Sequence, residues 1–342
     1  MHPNRRCVRS WAWLGLFALG GCTPPKPLPE VNEPAAPTKE VELTASEPTP
    51  LPDPTVSKPV DPPAKPEPSI EPVLKFTGAF ATPESVLYDE AADRYLVSNI
   101  NGDPTAVDGN GYILELSPEG QVTNPRLIAG GTNKLRLDAP KGMAIVGSEL
   151  WVADITVVRK FDLKTAEHKS DLQLPAATFA NDIVAGPDGS AYVSDSAVKF
   201  VDGAPQPSGT DQIFFIDKKG KIKVFAKSAA LGGPNGLAMA PSNILVANTI
   251  KGDQVYLLNA KGEPDNVTKV PGGMLDGLLA IDDMLIVSSW ATKTIYRGPL
   301  GGTFTPVVTK VQGVADMGYD SKRKRLLVPR FLDDTVEVYD LK

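Results

Sequence analysis

Two short signatures recur six times along the chain in a fixed order, and no other feature limits the possible fold as tightly. The first is a polar residue followed by a small or turn-forming one, ahead of an apolar run. It reads Pro83-Glu84-Ser85-Val86, Pro140-Lys141-Gly142-Met143, Ala180-Asn181-Asp182-Ile183, Pro234-Asn235-Gly236-Leu237, Leu275-Asp276-Gly277-Leu278 and Val314-Ala315-Asp316-Met317. The second closes the apolar run that follows, as Val97-Ser98-Asn99, Val152-Ala153-Asp154, Val193-Ser194-Asp195, Val246-Ala247-Asn248, Val287-Ser288-Ser289 and Val328-Pro329-Arg330. Third runs such as Gln212-Ile213-Phe214-Phe215-Ile216 lead through turns such as Lys218-Lys219-Gly220 to a fourth. Short alternating or apolar runs closed by Gly, Pro, Asp and Asn are strands, and no helical period of any length interrupts them. A four-strand unit recurring every 40 to 55 residues or so is a propeller blade. The sequence therefore predicts an all-β chain, a six-bladed β-propeller over residues 73–342. The sixth unit ends after three strands, and Val73-Leu74-Lys75-Phe76 is the spare run that supplies its outer strand.

In a radial repeat the first strand of each blade lines the central channel, so equivalent strand openings converge on the axis. Glu84, Lys141, Asn181, Asn235, Asp276 and Ala315 then form one ring. The ends of the second strands, Asn99, Asp154, Asp195, Asn248, Ser289 and Arg330, form another at the same mouth. Asn-Gly, Asp-Gly and Asn-Asp are ordinary turn dipeptides, but here they share one register ahead of the inner strand.

The segment before the repeat has a different character. Arg5, Arg6 and Arg9 precede an apolar run from Trp11 to Leu19 and the tetrapeptide Leu19-Gly20-Gly21-Cys22. This is an export signal with a small-residue cleavage site. At roughly ten residues the apolar run is half of what a bilayer span needs. The tetrapeptide resembles the bacterial lipoprotein signal, which implies removal of residues 1–21, lipidation of Cys22 and membrane attachment through that lipid. Thr23, in place of an aspartate, implies the outer membrane. Residues 22–72 carry about half of the 33 prolines among Glu, Lys, Thr and Ala, a composition of a disordered, semi-rigid tether. The other cysteine, Cys7, is within the leader, so no disulfide is expected.

Composition also removes whole classes of chemistry. The net charge of −6 becomes more negative once the three leader arginines are lost, and no basic stripe remains for nucleic acid. Of two histidines, His2 belongs to the leader and His168 lies in a polar turn-like run. A Ser-His-Asp triad or a multi-histidine zinc site is therefore not expected. Glu84, Asn181, Asn235 and Asp276 offer two carboxylates and two amide carbonyls, a hard oxygen set suited to calcium or another divalent cation such as magnesium or manganese. Such a cation polarises a carbonyl and activates water without histidine, and Asp276 is placed to act as base or nucleophile. Lys141 either points inward, pairing with a carboxylate or holding an oxyanion, or extends outward as a solvated lysine.

The openings at Glu84, Asn181-Asp182, Pro234-Asn235-Gly236 and Asp276-Gly277 resemble, in order, those of the gluconolactonase and senescence-marker-protein family. That family includes luciferin-regenerating enzymes and has paraoxonases and diisopropyl fluorophosphatases as distant relatives. The resemblance implies a catalytic calcium at Glu84, Asn181, Asn235 and Asp276, and hydrolysis of a lactone or related ester by a monomer. Phe179 stands where gluconolactonases carry an arginine that contacts a sugar acid, which implies a less polar substrate. The paraoxonase histidine dyad has no counterpart. Around the site, Phe179, Asp182, Asn99, Asp154, Asp195, Asn248 and Trp290 are expected to face the substrate. The competing expectation is a non-catalytic propeller that binds a cell-envelope protein or glycan. A cofactor-dependent dehydrogenase propeller lacks a cofactor motif.

Overall fold

The computed structural model describes residues 69–341 apart from 133, 134, 202, 203 and 210. The leader 1–21, Cys22 and the linker as far as residue 68 lie outside the described residues. Six four-stranded antiparallel sheets follow one another as blades. The first comprises Pro83–Asp89, Arg94–Asn99, Tyr112–Leu116 and Val122–Ala129; the second Pro140–Val146, Glu149–Asp154, Val157–Asp162 and His168–Gln173. Blade three is Ala180–Ala185, Ala191–Asp195, Gln212–Ile216 and Ile222–Lys227, with a two-stranded hairpin, Val198–Val201 and Ala204–Pro207, inserted between its second and third strands. Blade four is Pro234–Ala240, Ile244–Thr249, Gln254–Leu258 and Pro264–Lys269, and blade five is Leu275–Ile281, Met284–Ser289, Thr294–Gly298 and Thr305–Thr309.

Blade six closes the ring with strands from both ends of the described chain. Its inner strand is short, Gly318–Asp320, followed by Arg325–Arg330 and Thr335–Asp340. Leu74–Thr77 completes it in antiparallel register, Leu74 opposite Val338 and Thr77 opposite Thr335. Residues ahead of 73 also contact the propeller: the Ile70 N–H donates to Val307 O and Ser69 Oγ accepts from Thr309 N. The segment before the closing strand is thereby fixed to blade five.

Alternation along each strand sends one set of apolar side chains to each face of a blade, and both faces meet a neighbour. Six separate buried clusters result, each filling one gap between adjacent blades. Leu96 and Ile113 of blade one pack with Val152 and Phe161 of blade two, for example, and Trp151 of blade two packs with Val193 and Phe214 of blade three. Phe76 from the closing strand joins Tyr95, Val336 and Val338 between blades six and one. A seventh cluster, Ile100, Ala139 and Ile155 with Phe331 against it, joins residues of blades one, two and six. Its residues come from the loops at the mouth.

Candidate functional site

Each inner strand of blades one to five begins with a defect in its ladder. In blade three Ala180 pairs with Asp195 but Ile183 with Val193, so three steps on the inner strand match two on its partner. The same irregularity follows Pro83, Pro140, Pro234 and Leu275. An extra residue of this kind bends a strand and re-aims its side chains, and the residues within the bulges include Glu84, Lys141, Asn181, Asn235 and Asp276. A bulged backbone N–H needs a partner when buried. Second-strand side chains provide it: Ser98 Oγ accepts from Ser85 N, Ser194 Oγ from Asp182 N, Asn248 Oδ1 from Gly236 N and Ser288 Oγ from Gly277 N, all at 2.8 to 2.9 Å.

These bonds shift one register read from the sequence. Thr249, not Asn248, faces Pro234 across blade four, so Thr249 is the counterpart of Asn99, Asp154, Asp195 and Ser289. Asn248 belongs with the bulge-holding serines and also donates to Asp276 O at 2.6 Å. The rest of the second ring is engaged in holding its own incoming loop. Asn99 Oδ1 accepts from Ala81 N; Asp154 accepts from Asp138 N, Ala139 N and the guanidinium of Arg159; Asp195 accepts from Thr178 N, Phe179 N and Gln212 Nε2. Asn99, Asp154, Asp195 and Asn248 are thus buried loop and bulge anchors, where the sequence had suggested a polar wall facing substrate.

The first ring is also buried, with Asp276, its most accessible polar member, only 8% exposed. Asp276 Oδ1 accepts from Asn235 Nδ2 at 2.9 Å and its Oδ2 from Trp290 Nε1 at 2.8 Å. Asn235 Nδ2 also donates to Leu275 O, and Asn181 Nδ2 donates to Ser196 Oγ. Glu84 Oε2 is buried without a hydrogen-bond partner. Lys141 points into the protein: its ammonium donates to Ala139 O at 3.0 Å and lies 4.5 Å from the centre of the Phe179 ring. Ala315 leaves a gap in the ring, but Asp316 beside it does not. Its N–H donates to Glu84 O, and its Oδ2 accepts from Ser85 Oγ at 2.5 Å.

Four carboxyls, Glu84, Asp182, Asp276 and Asp316, therefore share the channel. Desolvation raises every one of them, because burial disfavours the charged form. Asp276 is pushed up to about 7, against the bonds from Trp290 and Asn235, and Asp182 to about 6, against the N–H groups of Leu237 and Ile183. Glu84 and Asp316 rise well above the usual range, with the other carboxylates adding to the effect of burial. Burial lowers Lys141, and the nearby Glu84 is the main charge opposing that. Further along the inner strands, Asp182, Asp316 and Ser85 border a cavity of about 370 Å³ whose other lining residues are largely apolar, among them Met143, Leu237 and Met317.

Among the described residues, no three His, Cys, Asp or Glu side chains group closely enough to hold a metal ion by themselves. Any cation at the ring would thus use amide oxygens as well. The unpartnered Glu84 Oε2 and the surplus of buried carboxyls over the single ammonium fit a cation there. His168, by contrast, is exposed on the outer strand of blade two, where it contacts Asp171 Oδ1 and the Phe161 ring.

Comparison with solved structures shows the same fold at low identity. A gluconolactonase from Xanthomonas campestris superposes with a TM-score of 0.59 at 18% identity, covering 78% of this chain and 89% of that one. A streptogramin B lyase gives 0.56 at 11% identity, over 78% and 96% of the two chains. A catalytically inactive virginiamycin B lyase from Staphylococcus aureus, determined with quinupristin, gives 0.54 at 13%, over 78% and 98%. The likeness to all three is one of fold. No protein-family model and no curated protein sequence matches the chain.

Proposed function

We propose that the chain hydrolyses a lactone or related ester at the ring of inner-strand residues, with Asp276 as the proton-transferring or nucleophilic carboxyl. The observation that carries this reading is the grip on Asp276: a buried carboxyl oriented by an indole N–H and an amide N–H, beside a carboxylate oxygen that has no partner. Catalytic carboxyls need fixed orientation before anything else. A divalent cation, calcium first among them, would be held by Glu84, Asn181, Asn235 and Asp276. When bound, it would supply polarisation of the acyl oxygen and a more acidic water.

The chain's own residues account for the proton. Asp276 takes a proton from water as the water oxygen bonds to the acyl carbon, and returns it to the alkoxide when the acyl C–O bond breaks. In a lactone the alkoxide stays attached and the product is a hydroxy acid. Asn235 and Trp290 hold the carboxyl in place, and Lys141, with one N–H engaged by Ala139 O, has others to offer the oxyanion. The leader, the acylated Cys22 and the linker of residues 22–72 make this an activity tethered in the bacterial cell envelope, on the reading of the sequence.

The test is turnover of a panel of lactones and carboxylic esters by the full-length protein, with calcium and with chelator. Wild type should turn over at least one substrate and Asp276→Asn should not. Absence of turnover across the panel in both conditions would remove the hydrolase reading. The depth at which the ring is buried favours the second reading, an envelope-binding propeller without turnover. Retention of one envelope protein or glycan by Asp276→Asn as by wild type would support it.

A further inference from the structure

We infer that the substrate carries an apolar acyl or alkyl arm, and that Ile100, Ile155, Phe179, Trp290 and Phe331 form the subsite that receives it. The inference deepens the hydrolase reading and rests on it. Its basis is a tier of residues one step further toward the mouth than the ring. In five blades the residue just after the second strand donates to the residue two before the ring position: Ile100 N to Thr82 O, Ser196 N to Phe179 O, Ile250 N to Gly233 O, Trp290 N to Met274 O and Phe331 N to Gly313 O.

Five of the strands that end in polar residues at this position continue directly into a large apolar residue, as Asn99-Ile100, Asp154-Ile155, Thr249-Ile250, Ser289-Trp290 and Arg330-Phe331; four of those apolar residues, Ile100, Ile155, Trp290 and Phe331, lie together. In three dimensions these side chains form a collar. Phe331 packs on Ile100, Ala139 and Ile155, and its ring centre lies 5.4 Å from that of Trp290, edge to face. Phe179 lies against the Lys141 ammonium, which is bonded to Ala139 O of the same cluster. This cluster brings together residues from blades one, two, five and six at the mouth, apart from the six clusters that fill the gaps between blade faces.

The collar meets the proposed chemistry directly, since the Trp290 indole that packs on Phe331 also donates to Asp276. Outside it, on the same face, Met274 and Leu332 remain substantially exposed, extending the apolar surface outward. Ser196, the polar residue among those that follow the second strands, is committed: its Oγ donates to Pro234 O. A polyhydroxylated acid would lose its water here without gaining partners, which costs binding. An alkyl or acyl chain gains by the same exclusion of water.

The experiment is calorimetric binding of γ-lactams with butyl, hexyl and octyl tails, which resist opening, to the full-length protein. Affinity should rise about threefold per added methylene until the collar is filled. Trp290→Ala and Phe331→Ala should flatten that dependence, while Phe331→Leu should largely preserve it; melting curves identify any variant that is unfolded. Affinity independent of tail length, or a dependence unchanged in the two alanine variants, overturns the subsite. A tail-length dependence without turnover of any ester keeps the subsite and removes the hydrolase reading. Turnover of polyhydroxylated lactones without that dependence does the reverse.

Discussion

The Trp290 indole N–H donates to Asp276 Oδ2 across 2.8 Å, so one side chain belongs both to the apolar collar at the mouth and to the carboxyl beneath it. The bond stabilises the charged form of a carboxyl that burial pushes toward neutrality. Orientation of Asp276 and reception of the substrate arm are therefore coupled through Trp290.

Replacing Trp290 by Phe keeps most of the ring contact and removes only the donor. Without that donor Asp276 becomes a weaker acid. The acid limb of the kcat/KM profile for a short-chain ester should move to higher pH, and activity at neutral pH should fall about tenfold, as for loss of one hydrogen bond to a charged group. A pH–rate profile identical to wild type would show that the bond does not orient the reacting carboxyl.

The propeller was legible in the sequence because strands of one length recur with their polar openings in register. The path of individual side chains was less so. Val246-Ala247-Asn248 resembles Val152-Ala153-Asp154, yet the same three-against-two bulge pairs Pro234 with Thr249, because the second strand of blade four is set one residue later. The shape of the strand's sequence does not reveal that offset. Asp316 was passed over because Ala315 occupies the aligned position, and only the pairing of blade six with blade one turns Asp316 inward. The bonds of Ser69 and Ile70 to blade five had no counterpart in the sequence pattern, which showed only a proline-rich composition there. The collar did leave a signal: Ile100, Ile155, Trp290 and Phe331 each follow a polar strand end. Of these only Trp290 stood out, because a single isoleucine or phenylalanine after a strand is ordinary.

Gly236 lies in the bulge of blade four, packed against the next blade. A Cβ there would come within 2.3 Å of Asp276 O and 2.8 Å of Leu278 N, both backbone atoms that cannot swing aside. Gly236→Ala should therefore destabilise the fold by about 2–3 kcal/mol, typical of overpacking, and displace Asp276. Urea unfolding reports the first effect. The second appears as loss of turnover under conditions where the variant is still folded, and full activity there would separate the bulge from the site.

Cation binding is open to a test that needs no substrate. If Glu84, Asn181, Asn235 and Asp276 hold calcium, a hundredfold excess over the dissociation constant should raise the melting temperature of chelator-treated protein by about 5 °C. Glu84→Gln keeps the side chain's size and removes its charge, so the rise should shrink or vanish. No shift at millimolar calcium in wild type would assign the unpartnered Glu84 oxygen to something other than a metal.

Acidity should act on stability in the direction opposite to ordinary acid denaturation. Asp182 and Asp276, raised to about 6 and about 7 by desolvation, keep protons in the folded chain that the unfolded chain releases near pH 4. Where the folded state binds more protons, stability falls as pH rises, so the window runs from about pH 4 to about pH 7. Pairs with lowered carboxyls, such as Glu337 with Arg330, work the other way but only below that window. In chelator, the urea midpoint should be higher at pH 5 than at pH 7.5, and Asp276→Asn should reduce the difference. Calcium should reduce it too, because it binds the ionised form that higher pH provides. A midpoint that rises from pH 5 to pH 7.5 in chelator would mean that these carboxyls ionise freely in the folded protein, and that burial does not set the chemistry of the ring.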